Sequence, residues 1–304
     1  MPAVVDALVP VLVLIALGHG LARIRFVEAA VWGGIERLTY FVLFPALLVG
    51  TLGGRRLDGA WPAWFAVVGL VLAIAVAALL LLRRGSGDGP TFTSVFQGGV
   101  RFNTYIALAV IQALHGPEGL AVGALAAGLM IVVINVACIA VLARWGSARI
   151  AGAGAFARAV LANPLIVACA LGWALSLTGL GLPGASAGVL EVVGRAALPL
   201  GLLAVGAALR PAAIRGHLGS AARACLVQYG VKPVAALGAL ALLGVTGMPA
   251  SVLLVLFAVP TASSAYILAR QLGGEAEAMA SIITVQTLAA FAVLPLVLFV
   301  AQRL

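Results

Sequence analysis

The sequence predicts an all-α membrane protein of ten transmembrane helices, arranged as two inverted five-helix repeats in which helices four and nine are interrupted. Three observations predict it. Of 304 residues 64% are apolar and only 9% charged, with 37 Gly and 14 Pro besides; a soluble domain needs roughly a quarter of its residues charged, so most of this surface must face lipid. Uncharged runs of about 20 residues, the length that crosses roughly 30 Å of hydrocarbon, recur along the whole chain. A proline and glycine pattern in the first half returns in the second half at a constant offset.

The expected spans cover approximately 4–23, 35–53, 62–82, 93–114, 118–143, 157–177, 187–209, 221–244, 249–270 and 276–301. The run 233–269 is too long for one helix and is divided at 244–249, where Gly244, Gly247 and Pro249 cluster. Connections near 83–92 and 145–156 are too short for a soluble domain, so the chain reads as a single integral membrane unit. The N-terminus, with Asp6 and no basic residue before Arg23, reads as a first span and not as a signal peptide.

Charge sets the expected orientation. Connections of odd number hold Arg23, Arg25, Arg83, Arg84, Arg144, Arg149, Arg158, Arg210, Arg215, Arg223 and Arg270, whereas the even ones and the tails hold Arg55, Arg56 and Arg303. The positive-inside rule then places the odd connections in the cytoplasm and both termini outside. The net charge of +9 comes without a basic run interleaved with aromatics, so nucleic acid is not an expected partner.

In span one Pro10 and Gly18 are eight apart, as are Pro164 and Gly172 in span six; Pro45 and Pro199 each follow 35 residues later, so one offset of 154 relates both pairs. Duplication predicts repeats over 1–150 and 151–304, and five spans per repeat invert the second copy. Inverted repeats mark alternating-access secondary transporters with a site at the midplane between discontinuous helices. Spans four and nine carry the interruptions: Gly98, Gly99, Arg101, Asn103 and Thr104 in one, Pro260, Thr261, Ser263 and Ser264 in the other. Pro260 removes a backbone donor and the Gly pair loosens its helix, which frees N–H and C=O groups beside hydroxyls and an amide. Kinked helices joined by interhelical hydrogen bonds are the alternative.

Lys232 lies nine residues past Arg223, roughly 14 Å into the membrane, and Arg101 reaches a similar depth about ten residues past Thr91. No carboxylate is expected at that depth: Glu36 is taken to begin span two, and Glu191 to lie near the outer face. Two unbalanced cations in hydrocarbon are costly, which favours a visiting anion. Alternatively, Arg101 snorkels to one face while Lys232 caps carbonyls of a broken helix or sits deprotonated. Glu191 and Arg195 are expected to pair at i,i+4, Asn163 to cap the helix opening at Pro164, and Asn135, Gln112, Gln228 and Gln286 to hydrogen-bond between helices.

Other chemistry lacks its residues. Cys138, Cys169 and Cys225 stand alone, and His19, His115 and His217 are scattered, so no metal or cofactor is expected. The glycine-rich segment 85–89 lacks the Lys-Ser/Thr of a phosphate loop, and with no Ser-His-Asp or paired-carboxylate constellation an enzyme is not expected.

Several segments resemble the auxin efflux carrier family, in particular its bacterial members, over essentially the whole chain. They are Asn163-Pro164-Leu165 through to Gly172, the Leu198-Pro199 span ending at Gly206, the span from Pro260-Thr261-Ala262 to Leu268-Ala269-Arg270-Gln271-Leu272-Gly273, and Leu294-Pro295-Leu296. The resemblance implies broken helices four and nine that cross at the centre, similar to bile acid:sodium symporters. It also implies a scaffold of spans 1, 2, 6 and 7 and a transport domain of spans 3–5 and 8–10. The implied crossovers are Phe102-Asn103-Thr104 and Pro260 with Ser264, where many relatives have Asn. Val110 departs from the family, many members of which have Pro there, and leaves the first break to Gly98, Gly99 and the polar pair.

The expected substrate-binding residues are Arg101, Asn103, Thr104, Lys232, Pro260, Thr261, Ser263 and Ser264. The expected function is a secondary transporter or uniporter for a small organic anion, a mono- or dicarboxylate of the auxin, malate or malonate kind. A sodium-coupled carrier like the bile acid symporters and a non-transporting membrane receptor subunit are the alternatives. The expected partners are that anion, the lipid bilayer, a coupling proton or sodium ion, and a second copy in a homodimer. The expected location is the bacterial inner membrane.

Overall fold

The computed structural model describes residues 2–54, 61–147, 154, 157–158, 161–301 and 303–304. Arg55, Arg56 and Arg149, all weighed in the charge pattern, lie outside the described residues. Every regular element among the described residues is helical. In chain order these are α1 (Pro2–Arg23), α2 (Ala29–Leu38), α3 (Phe44–Gly53), α4 (Trp61–Leu81), α5 (Gly89–Val100), α6 (Thr104–Trp145) and α7 (Pro164–Thr178). There follow α8 (Ser186–Arg195), α9 (Ala197–Ala207), α10 (Leu218–Cys225), α11 (Lys232–Leu242), α12 (Gly247–Ala258), α13 (Ser264–Leu272) and α14 (Ala276–Ala301).

Seven helical stretches among the described residues are long and apolar enough to cross a membrane, and Pro164–Thr178 and Gly247–Ala258 are shorter apolar helices. Their outward faces carry bare Leu, such as Leu81, Leu177 and Leu296, each more than two-thirds exposed. Without water to hydrogen-bond the backbone, helices satisfy it internally, which is why this composition folds this way. The chain is an integral, multi-pass membrane protein.

The tally of seven differs from the ten expected spans for local reasons. One apolar stretch, Gly89–Trp145, runs through expected spans four and five. Within it α6 bends at Gly116, whose φ of 61° suits a residue without Cβ, and Pro117 starts the next segment. The sixth span begins anew at Pro164 because Asn163 caps it, its Oδ1 accepting from the amides of Leu165 and Ile166 at 3.0 and 3.3 Å. Expected span two also starts earlier than the sequence suggested, at Ala29, which places Glu36 seven residues inside the helix and not at its mouth.

Two wide turns precede intramembrane prolines. A π-helical turn, Thr39–Leu43, leads to Pro45, and a second, Leu226–Val231, leads to Pro233. A proline ring clashes with the carbonyl four residues back, and widening the preceding turn relieves that clash.

The contacts divide the chain into two compact units, Met1–Pro62, Tyr105–Ile131 and Leu161–Ala208 in one, and Ala63–Thr104, Val132–Val160 and Leu209–Leu304 in the other. In the first unit α1 packs on α9, and α7 packs on α3. The two contacts are built alike. A Cβ at Gly18 would overlap the Leu203 carbonyl and one at Gly206 the Ile15 carbonyl, while one at Gly172 would come within 2.7 Å of the Leu52 Cβ. Small residues let the backbones approach where the hydrophobic effect gives no drive to associate.

The second unit packs α5 against α10 and α14, and α12 against α11 and α14. Gly98 allows the tight approach: a Cβ there would stand 2.5 Å from Ile282 and 3.0 Å from Ala224. The Asp88 side chain caps α5 by accepting from the Thr91 amide at 2.8 Å, which holds its carboxyl below the usual carboxylate range.

Candidate functional site at two helix breaks

Two interruptions in the apolar helical stretches of the second unit lie close together. After Val100, Arg101 turns extended at φ −70° and ψ 165°, and α6 starts at Thr104. After Ala258, Val259 turns extended at φ −77° and ψ 155°, and α13 starts at Ser264. The breaks share a hydrogen bond, the Asn103 amide donating to the Pro260 carbonyl at 2.6 Å.

Each break exposes carbonyls at a helix C-terminus and amides at the next N-terminus, and inside a membrane protein these groups must find partners. Three buried side chains supply many of them. Gln286 accepts from the Thr261 amide and donates to the Gly98 carbonyl, both at 2.9 Å. Gln228 donates to the Val259 carbonyl. Lys232, fully buried, donates to Gln228 Oε1 at 2.9 Å and reaches the Arg101 and Val100 carbonyls at 3.3 and 3.4 Å. The Thr261 hydroxyl adds a longer bond to the Gln97 carbonyl at 3.4 Å.

Arg101 is 8% exposed and keeps a different company. One guanidinium nitrogen donates to Asn135 Oδ1 at 3.3 Å and another to Ser264 Oγ at 3.4 Å. Both of these partners are neutral. The ion pairs Glu191–Arg195 and Glu277–Arg210 include neither Arg101 nor Lys232.

The predicted residues therefore divide by burial. Asn103, Pro260, Thr261, Ser263 and Lys232 are buried and form the frame of the breaks. Thr104 and Ser264, which open α6 and α13, are partly exposed, with the edge of Arg101. Lys232 has the geometry of the capping alternative. Asn135, on the C-terminal half of α6, accepts from Arg101 although it was not among the expected site residues; the signal in the sequence was an amide in an apolar helix, which needs an interhelical partner.

The first unit contains a separate cavity of about 720 Å³, lined by apolar side chains with Thr51, Gln112, Glu191 and Arg195. Its one Arg is already paired with a carboxylate. None of the eight expected site residues lines it.

The family model described as membrane transport protein matches residues 3–299. The chain belongs to that family, the auxin efflux carriers. Comparison with curated proteins finds none that matches. Auxin efflux carriers are membrane transporters and not enzymes, and the two helix breaks described above are the polar interior of a member of that family.

Proposed function

We propose that this auxin efflux carrier family member is a secondary transporter that moves a small organic anion by alternating access, with the anion bound where the two breaks meet. The observation that carries the reading is Arg101: a nearly buried guanidinium whose hydrogen-bond partners among the described residues are neutral, which leaves its charge for a ligand. Thr104 and Ser264 stand at helix N-termini, whose partial positive charge adds to the attraction for a carboxylate. Asn103, Thr261, Ser263 and Pro260 shape the frame, and Lys232 secures it from behind.

The proposal includes ten crossings in two inverted repeats. It is supported by the breaks that begin in the same extended conformation and by the matching packing of α1 on α9 and α7 on α3, related by the 154-residue offset between Gly18 and Gly172. Counting α2 with α3, α5 with the first part of α6, α8 with α9, α10 with α11, and α12 with α13 as one crossing each, and the rest of α6 as another, brings the described helices to ten. Spans 1, 2, 6 and 7, gathered in the first unit, are the proposed scaffold. The same proposal puts both termini outside the inner membrane of a bacterium, with a proton or the membrane potential as the driving force.

Counterflow in proteoliposomes tests this. Vesicles holding an unlabelled carboxylate should accumulate the labelled one, and Arg101→Gln should abolish the exchange. Saturable binding without exchange would favour the receptor reading.

A further inference from the structure

We infer that the site accepts one carboxylate group, so that a monocarboxylate binds in preference to a short dicarboxylate. The inference rests on the anion site proposed above and narrows its substrate class. The two deep cations, Lys232 and Arg101, differ in their surroundings.

The Lys232 ammonium has three hydrogens and three acceptors, the carbonyls of Val100 and Arg101 and the Gln228 amide oxygen, and the residue is fully buried. Turning toward a ligand would strip the C-terminal end of α5 of its donor. Arg101 offers five N–H groups in a planar fork that matches a single carboxylate, and its neutral partners take two of its nitrogens through long bonds of 3.3 and 3.4 Å. The partly exposed groups beside it, Thr104 and Ser264, are hydroxyls that donate without adding a formal charge.

The next cation along α13 is Arg270, six residues beyond Ser264 and about 9 Å along the helix axis. A three- or four-carbon diacid does not span that distance. Arg210, which contacts Tyr266 two residues beyond Ser264, is already engaged by that ring and by Glu277, so a second carboxylate would be desolvated without a counter-charge of its own, which costs affinity.

The test compares malonate, succinate and the larger homophthalate with their monomethyl esters, by thermal shift and by competition in counterflow, at a pH where all carboxyls are ionised. Each pair shares its carbon frame and differs in the second charge. The monoesters should bind about tenfold or more tightly than the diacids. Succinate or malonate binding as tightly as its monoester would overturn the inference while leaving the anion site intact. If neither member of any pair binds, or if Arg101→Gln leaves binding unchanged, the anion site itself is wrong and the inference falls with it. Should Arg101→Gln fail to fold, Ser264→Ala, which removes one long contact to the guanidinium, replaces it; unaltered monoester affinity there counts against the site.

Discussion

The Asn103 amide donates to the Pro260 carbonyl at 2.6 Å, so the two interrupted helices are joined backbone to backbone. Neither interruption is stable alone in an apolar surrounding, because unpaired backbone groups there cost several kcal/mol each, on the order of the stability of a whole domain. The two therefore form one structural element, and the side chains that serve it are the places to test.

Gln286 bridges the two breaks directly. Gln286→Leu leaves the Thr261 amide and the Gly98 carbonyl unpaired, and each such group costs about 1–3 kcal/mol. Thermal unfolding of the purified protein should show a marked loss of stability, with Gln286→Glu intermediate because it keeps the acceptor. An unchanged midpoint for the Leu variant would mean that the bridge contributes nothing.

Lys232→Met keeps much of the side-chain volume and removes the donors to the Val100 and Arg101 carbonyls. We expect a cost of about 3 kcal/mol or more in stability. The fraction that folds should keep more of its carboxylate affinity than Arg101→Gln does. Equilibrium binding on folded protein separates the two effects, and the reverse ranking would return Lys232 to direct contact with the anion.

Helix contact in the first unit depends on missing side chains. Gly18→Ala places a Cβ into the Leu203 carbonyl, a backbone atom that moves only with its helix, whereas Gly20→Ala meets nothing within 4 Å. The first should destabilise by roughly 1–3 kcal/mol and the second should be neutral or stabilising by up to about 1 kcal/mol. Parallel denaturation curves check the pair.

Asp88 carries a pH dependence. Its hydrogen bonds from Thr91 lower the folded-state pKa beneath the ordinary 3.8, so the stability it adds is present above 3.8 and disappears as pH falls through the lowered value. Asp88→Ala should be less stable than the parent by about 1 kcal/mol at neutral pH. That difference should vanish in strong acid, as unfolding curves across the acid range will show.

Much of this could be read from residues. Gly98 with Gly99 and Pro260 marked both interruptions because each weakens a helix for a stated reason, and Asn163 ahead of Pro164 marked its cap. Gln228, Gln286 and Asn135 were legible as interhelical donors and acceptors, since amides in an apolar helix need partners. Which partners they take was not legible, because an unwound backbone presents carbonyls in directions that helical periodicity does not fix. For the same reason depth alone could not tell Lys232, spent on carbonyls, from Arg101, held by neutral groups. The wide turns before Pro45 and Pro233 also escaped, since one extra residue per turn scarcely disturbs a pattern that is apolar on every side.

The groups that close the two breaks, Gln228, Lys232 and Gln286, belong to the same compact unit as the breaks themselves. In the proposed alternating-access cycle the amides of Arg101, Asn103 and Thr261 would thus keep their acceptors throughout. A shift in membrane depth need not melt or rewind any turn, so deuterium uptake at these three positions should be equally slow whether the carrier is trapped open to one side or to the other.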